Sequence, residues 1–383
     1  MLKFITAGES HGKCMIAVVE GFPAGVHLDE EVINNDLRRR QGGVGRGPRM
    51  DIEKDEVEIL SGIRKGTTLG SPICMKIKNY DFSIDQLPEL TRARPGHADL
   101  AGAMKYGCHD MRNILERASA RDTAARVAAG ALAKTLLNNF GVKVIGYVKG
   151  IGGVMDETPA SARNPEEVQR LRDSSSIYCL DKKAGERMVK RIKEAGETND
   201  SVGGLIEVTV YGVPPGLGSY TQWDQRLDGR LAAAVMSVQA IKGVEIGLGF
   251  QVAEKLGSEV HDSIYYNQKS RSDSLTGGFF RKTNRAGGLE GGVTNGEPIV
   301  VGAAMKPIPT LRKSLESVEL TTKKSAPAAA ERSDVCAVPA ASVVVEAVVS
   351  FEMARAFMEK FGGDSIQETG RNLEGYLKQV RSL

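Results

Sequence analysis

The chain has 383 residues, with Lys+Arg 51 against Asp+Glu 48 and a formal net charge of +3. That balance is too slight for a surface meant throughout to hold nucleic acid, so any basic site must be local. Hydrophobic residues at 41% and charged residues at 26% exclude the disordered and fibrous classes. Five widely spaced cysteines (14, 74, 108, 179 and 336) without a CxxC pair suggest neither a disulfide framework nor a metal site. They predict a reducing compartment. With no apolar run approaching ~18 residues and no signal-like start, a cytoplasmic protein without a membrane partner is expected.

Residues 2–7 and 15–21 read as short apolar strands around the Gly8–Gly12 loop. A helix is predicted over 29–40, where Val32, Ile33 and Leu37 recur behind an acidic first turn, ending in the glycines at 42–47. Strands follow at 55–60 and 72–78, then a long loop to about 99. Ser119-x-x-Asp122 opens the strongest helix, whose stripe of Ala124, Val127, Ala128, Ala131, Leu132 and Leu136 runs to Gly141. A strand is predicted at 142–148, and a polar excursion occupies about 155–199. Further strands are expected at 204–211 and 299–305, with a helix over 340–361. The polar, Gly-rich stretch from about 264 to 296 suits a mobile binding loop.

A weak echo links Val19-Glu-Gly-Phe-Pro-Ala-Gly25 with Val210-Tyr-Gly-Val-Pro-Pro-Gly216, each closing a strand before a helix, as an internal pseudo-repeat would. The alternation of strands and helices is irregular. It favours an α/β sandwich of sheets and helices, in one domain over 1–383, over a doubly wound sheet.

Five stretches and two loops carry candidate chemistry. Gly8-Glu9-Ser10-His11-Gly12 fits the G-x-S-x-G elbow of serine hydrolases, but that elbow needs a strand, a turn and then a helix, whereas a second strand follows here. What remains is a histidine on a tight loop. Arginines 38, 39, 40, 46 and 49 lie within twelve positions without an acid, a density that calls for a nearby anion. A phosphorylated small ligand is favoured over an RNA-binding arm, because the run lacks aromatic residues. Arg94-Pro-Gly-His97-Ala-Asp99 offers a second loop histidine. Arg112-Asn-Ile-Leu-Glu-Arg117-Ala-Ser119 leads into a helix N-terminus that favours anions. Glu331-Arg332-Ser333-Asp334 is either an ion pair or a base beside an anion clamp, and Gly287–Gly292 and Lys306–Thr310 are loops able to lie against a ligand.

Together these motifs resemble the chorismate synthase family from residue 3 to about residue 362. The resemblance implies a βαβ sandwich and a homotetramer. It also implies loss of phosphate and a C6 proton from 5-enolpyruvylshikimate 3-phosphate to give chorismate, an anti-1,4-elimination that needs reduced FMN without net redox change. NADPH or an external flavin reductase would supply the electrons. His11 would protonate the departing phosphate, His97 would serve the flavin N1 side, and Asp334 would take the C6 proton by way of flavin N5. Arg40, Arg46 and Arg94 match positions that bind substrate or a nicotinamide nucleotide. Those matching FMN contacts are Arg117, Ala118, Ser119, Gln239, Ala240, Gly291, Lys306, Pro307, Ile308, Pro309, Thr310 and Arg332. No metal is implied.

Overall fold

The computed structural model describes residues 1–47, 52–329 and 334–383; Arg49 and Arg332 of the motifs above lie outside them. The chain runs through β1 (Lys3–Ala7), β2 (Cys14–Glu20), α1 (Glu30–Gln41), β3 (Val57–Ile59), a small hairpin β4–β5 (Ile63–Arg64, Thr67–Thr68) and β6 (Ile73–Lys78). Helices α2 (Asp99–Tyr106), α3 (Arg112–Ala118) and α4 (Thr123–Asn138) follow. The second half holds β7 (Lys143–Ile151), β8 (Val154–Met155), α5 (Pro165–Asp173), α6 (Lys182–Glu197), β9 (Gly204–Tyr211), α7 (Leu227–Met236) and β10 (Ile241–Ile246). After α8 (Gly257–Val260) come hairpins β11–β12 (Ile264–Tyr266, Phe279–Arg281) and β13–β14 (Leu289–Glu290, Val293–Thr294). The chain ends with β15 (Ile299–Met305), hairpin β16–β17 (Glu316–Val318, Ser325–Pro327), α9 (Val338–Phe361) and α10 (Ile366–Arg381).

Two antiparallel sheets face each other across helices. One has the order β1-β2-β6-β3 and the other β10-β15-β9-β7-β8. Helix α4 packs on β2 and β6 of the first sheet, α9 packs on β7 and β9 of the second, and the two helices pack on each other. The layers therefore run sheet, helix, helix, sheet, which is the α/β sandwich expected. Both central helices are apolar on nearly every face, because each is covered by a sheet on one side and a helix on the other. They approach closely at Gly130, where an added Cβ would lie 2.4 Å from the Cβ of Ala347.

Each half follows one plan. A strand pair (β1, β2 or β7, β9) leads to a helix (α1 or α7), an edge strand (β3 or β10), an inner strand (β6 or β15) and a central helix (α4 or α9). The sequence echo falls at the same step of both halves. Gly21 and Gly25 after β2 have φ of 78° and 84°, and Gly212 and Gly216 after β9 have 70° and 92°. The left-handed region that these turns need favours glycine, so one local rule recurs in two places.

A carboxylate sits in the middle of α9. Glu346 takes Nη1 and Nη2 of Arg39 at 3.0 Å each, Nη1 of Arg172 at 3.1 Å, the Gly146 N–H at 2.7 Å and the Lys134 ammonium. Burial opposes its charge, but three cations outweigh that penalty and hold its pKa well below the usual range.

The excursion over 155–199 is largely two helices, whose apolar faces bring Val168, Met188 and Ile192 into the interior. The stretch over 264–296 holds two hairpins, and cross-strand pairing of Tyr265 with Phe280 and Tyr266 with Phe279 accounts for the first.

Candidate active site

Two histidines lie on connections braced by buried carboxylates. His11 stands in the loop between β1 and β2, and α3 grips that loop through one residue. The Glu116 carbonyl accepts the Ser10 N–H at 2.8 Å, Oε2 accepts the His11 N–H at 2.7 Å, and Oε1 accepts from His11 Nδ1 at 2.9 Å. The imidazole side chain is 16% exposed and the carboxylate behind it 3%. Burial raises the Glu116 pKa, but the bonds from His11 outweigh it and the net shift is downward.

From below, Asn79 Nδ2 donates to the carbonyls of Glu9 at 3.0 Å and Gly12 at 2.7 Å, while its Oδ1 accepts from Arg121 Nε at 2.8 Å. Arg121 and Arg40 share Asp55. Arg40 is only 5% exposed, and its Nε, Nη1 and Nη2 donate to Thr123 Oγ1, Asp55 Oδ2 and the Ala120 carbonyl. It braces the loop from inside.

His97 is held similarly. Its Nδ1 donates to Asp99 Oδ1, and Arg94 forks onto the same carboxylate through Nε at 2.8 Å and Nη2 at 3.0 Å. Asp99 is fully buried while His97 is 16% exposed. Burial would raise the Asp99 pKa, but His97 and Arg94 outweigh it and hold the carboxyl well below its ordinary value. Arg94 Nη1 also donates to Thr310 Oγ1 at 3.2 Å, and Lys306 Nζ donates to the Gly96 carbonyl. The second histidine loop therefore meets the Lys306–Thr310 segment. The Lys306 N–H donates to the Ala240 carbonyl at 3.0 Å, which adds Gln239 and Ala240 to this group. Burial and then neighbouring Lys242 lower the Lys306 pKa.

Asp334 lies across a small cleft that it lines with Thr310, Leu311 and Arg312. Arg46 pairs with it, and the Gly47 N–H donates to its Oδ1 at 2.6 Å. Arg117 reaches back to β1, donating to the carbonyls of Gly8 and Thr6 at 3.0 Å each. Ser119 meets Ser10 at 3.0 Å and Ala118 precedes it on α3. Gly291 turns the β13–β14 hairpin, where an added Cβ would meet only Tyr220 within 4 Å. Among the described residues, no cluster of three or more His, Cys, Asp or Glu side chains could hold a metal.

Two readings change. Ser10 is 1% exposed, bonded to Ser119, and lies between two antiparallel strands, so it is not on a nucleophile elbow. The arginine run does not wait for an external anion at each position. Arg38 pairs with Glu31, Arg39 with Asp36 and Glu346, Arg40 with Asp55 and Arg46 with Asp334. Among the described residues its charge is met by carboxylates, some near in the chain (Glu31, Asp36 and Asp55) and some distant (Asp334 and Glu346), which also removes the basis for an RNA-binding arm. Glu116, Asn79 and Asp55 had no assigned role in the sequence. The one available signal was a charged residue, Glu116, between Leu115 and Arg117 in the short helix that leads into α4.

The fold sets two histidines on loops braced by carboxylates, an arrangement suited to acid–base chemistry on an anionic small molecule. A family model described as chorismate synthase matches residues 2–358. The chorismate synthases of Geobacter sulfurreducens and Desulforudis audaxviator are each 54% identical to the chain, covering all of it and 100% and 99% of their own lengths. A crystal structure of chorismate synthase superposes with a TM-score of 0.81 at 43% identity, over 100% of this chain and 99% of that one. The chain belongs to the chorismate synthase family, and is thereby a lyase.

Proposed function

We propose that the two histidine stations and the Asp334 cleft form the active site at which this chain eliminates phosphate and the C6 proton from 5-enolpyruvylshikimate 3-phosphate, giving chorismate. The observation that carries this reading is the pairing of each slightly exposed imidazole with a carboxylate shut away from water. A substrate with one phosphate and two carboxylates needs cations and a proton for its leaving group. His11 delivers that proton, with Nδ1 held by Glu116 and Nε2 as the transferring atom. His97 is the second proton-handling group. Asp334 receives the C6 proton, and Arg46 and Arg94 serve the substrate anions while orienting Asp334 and His97. Arg40 acts from beneath the His11 loop.

Reduced FMN fits the donor set on the second half. Gln239 Oε1 is buried with no hydrogen-bond partner among the described residues, an acceptor suited to a ring N–H. Ala240 beside it has φ of 68°, and a Cβ at Gly291 would make only an ordinary contact, 3.8 Å from the Tyr220 Cβ, among the described residues. Arg117, Ala118, Ser119, Gln239, Ala240, Gly291 and Lys306 through Thr310 would hold the cofactor, with Arg332 outside the described residues. When bound, the flavin lends electron density to the substrate and recovers it. NADPH or a separate flavin reductase keeps it reduced. Exposed Tyr220, Trp223, Phe250 and Leu256 favour a homotetramer that covers them, in the cytoplasm.

The test is anaerobic phosphate release with chemically reduced FMN and substrate, repeated with NADPH replacing the chemical reductant. Stoichiometric phosphate and chorismate are expected with reduced FMN. Absence of phosphate release with both reductants would sink the reading.

A further inference from the structure

We propose that Glu116 is the positioning residue for His11, and that its carboxylate fixes which ring nitrogen carries the working proton. The inference rests on His11 being the leaving-group acid. An imidazole can donate from either nitrogen, and the nitrogen that faces the substrate is set by the bond the other one makes. Here Oε1 of Glu116 takes Nδ1 at 2.9 Å, so Nδ1 carries a hydrogen in every charge state and Nε2 is left to transfer. The same residue fixes the backbone around the ring, through its carbonyl to Ser10 N–H and through Oε2 to His11 N–H. A glycine-flanked loop is thereby held at three points by one side chain and its own peptide unit.

Asp99 offers a useful contrast. Its carboxylate is shared between His97 and the Arg94 fork, and Arg94 Nη2 lies 3.1 Å from His97 Nδ1. A carboxylate already neutralised by a guanidinium orients an imidazole but gives little support to its positive charge. Among the described residues, the Glu116 carboxylate bonds His11 alone of the ionisable side chains in direct contact, with Arg112 acting on it at longer range. His11 is therefore the ring whose cationic form has a dedicated counter-charge. As the substrate C–O bond breaks, its electron pair moves to the phosphate oxygen, and the proton on Nε2 follows to that oxygen. The ring gives up its charge, and the Nδ1 proton stays shared with Glu116.

Glu116→Gln tests this directly, because the amide keeps the size of the side chain but not its charge. The expected result is a kcat lowered by about 10- to 100-fold, KM and FMN affinity within about twofold, and an unchanged melting temperature. The pH at which turnover falls on the alkaline side should move lower. In a His11→Ala background the same substitution should cost almost nothing further, since the two residues act as a unit. Full turnover in Glu116→Gln, or an equal loss in both backgrounds, would overturn the proposal. So would loss of FMN binding together with a lowered melting temperature, which marks a structural anchor. Should the Gln variant not fold, Glu116→Asp, which keeps the charge but withdraws it from Nδ1, must show the same kcat-selective loss. Full turnover in His11→Ala alone would instead remove His11 as the acid, and the role of Glu116 with it.

Discussion

The connection from β6 to α4 and the connection from β15 to α9 occupy equivalent places in the two halves, yet they are built differently. The first, residues 79–122, supplies its own internal bracing: Asp99 holds Arg94 and His97, and Asn79 and Arg121 brace the loop that Glu116 grips. The second, whose described residues are 306–329 and 334–337, folds internally only in the β16–β17 hairpin among those residues and is otherwise tied to segments elsewhere, through Lys306 to Gly96, Thr310 to Arg94 and Asp334 to Arg46. The two also pair with each other, since the Leu320 N–H donates to the Thr91 carbonyl at 2.8 Å and Ser317 bonds the Ala93 carbonyl. The first connection is the acid–base platform of the proposed function. The other gains its order from what it touches, as a cofactor-binding edge would.

If that division is right, side chains that handle protons should affect turnover without affecting cofactor affinity. His11→Ala and His97→Ala should each lower turnover by at least ~10²-fold, the usual scale for a lost general acid. Asp334→Asn should lower turnover similarly and leave FMN binding intact, although it lies on the second connection. Flavin titration beside initial rates separates the two effects. Near-normal turnover in both histidine variants would remove the platform, and FMN loss in Asp334→Asn would make that residue structural.

The next effect is on stability, and it belongs to the layer beneath both connections. Glu346→Gln leaves Arg39, Lys134 and Arg172 facing a neutral amide in the interior, which should cost about 3–5 kcal/mol in urea unfolding. Glu346 and Asp99 both have folded pKa values below their unfolded ones, for which about 4.3 and 3.9 are typical. The unfolded chain thus binds more protons in mild acid. Their contribution is complete above about pH 5 and is lost as pH falls through the unfolded values toward the folded ones. Glu346→Gln should flatten that acid slope; an unchanged slope would place the acid sensitivity elsewhere.

The framework was readable because burial writes itself as periodicity. Helix α4 and the strands β1, β2, β6, β9 and β15 stood out as apolar stripes, and the Gly21–Gly25 echo marked the duplication because left-handed turns restrict residue type. Helix α10 was missed, since Gly370 and Gly375 interrupt a mostly polar sequence with few buried side chains. The histidines were visible as loop residues, and Asp99 stood in the same motif as His97, but the carboxylate behind His11 was hidden. Glu116 meets His11 across 105 positions, a pairing that only the packing of α3 against the β1–β2 loop creates. The arginine run misled in the same way, because Glu346 lies 307 positions from Arg39. Local composition reports that a charge needs a partner, and tertiary structure decides whether the partner is internal.

The smallest expected effect is also the sharpest test of the second half. Gln239 follows Ser237, which Arg126 holds through its carbonyl at 3.1 Å and its hydroxyl, so the backbone there is anchored to α4. Among the described residues the buried Oε1 nevertheless lacks a partner, and an unmet acceptor of this kind costs about 1–3 kcal/mol. Gln239→Leu removes that cost in the free protein and removes an acceptor from the bound one. The melting temperature without flavin should therefore hold or rise, while FMN affinity falls about tenfold and the stabilisation by excess FMN shrinks by about 1.4 kcal/mol. Opposite signs in the two measurements distinguish a cofactor contact from a packing residue, for which both would fall together.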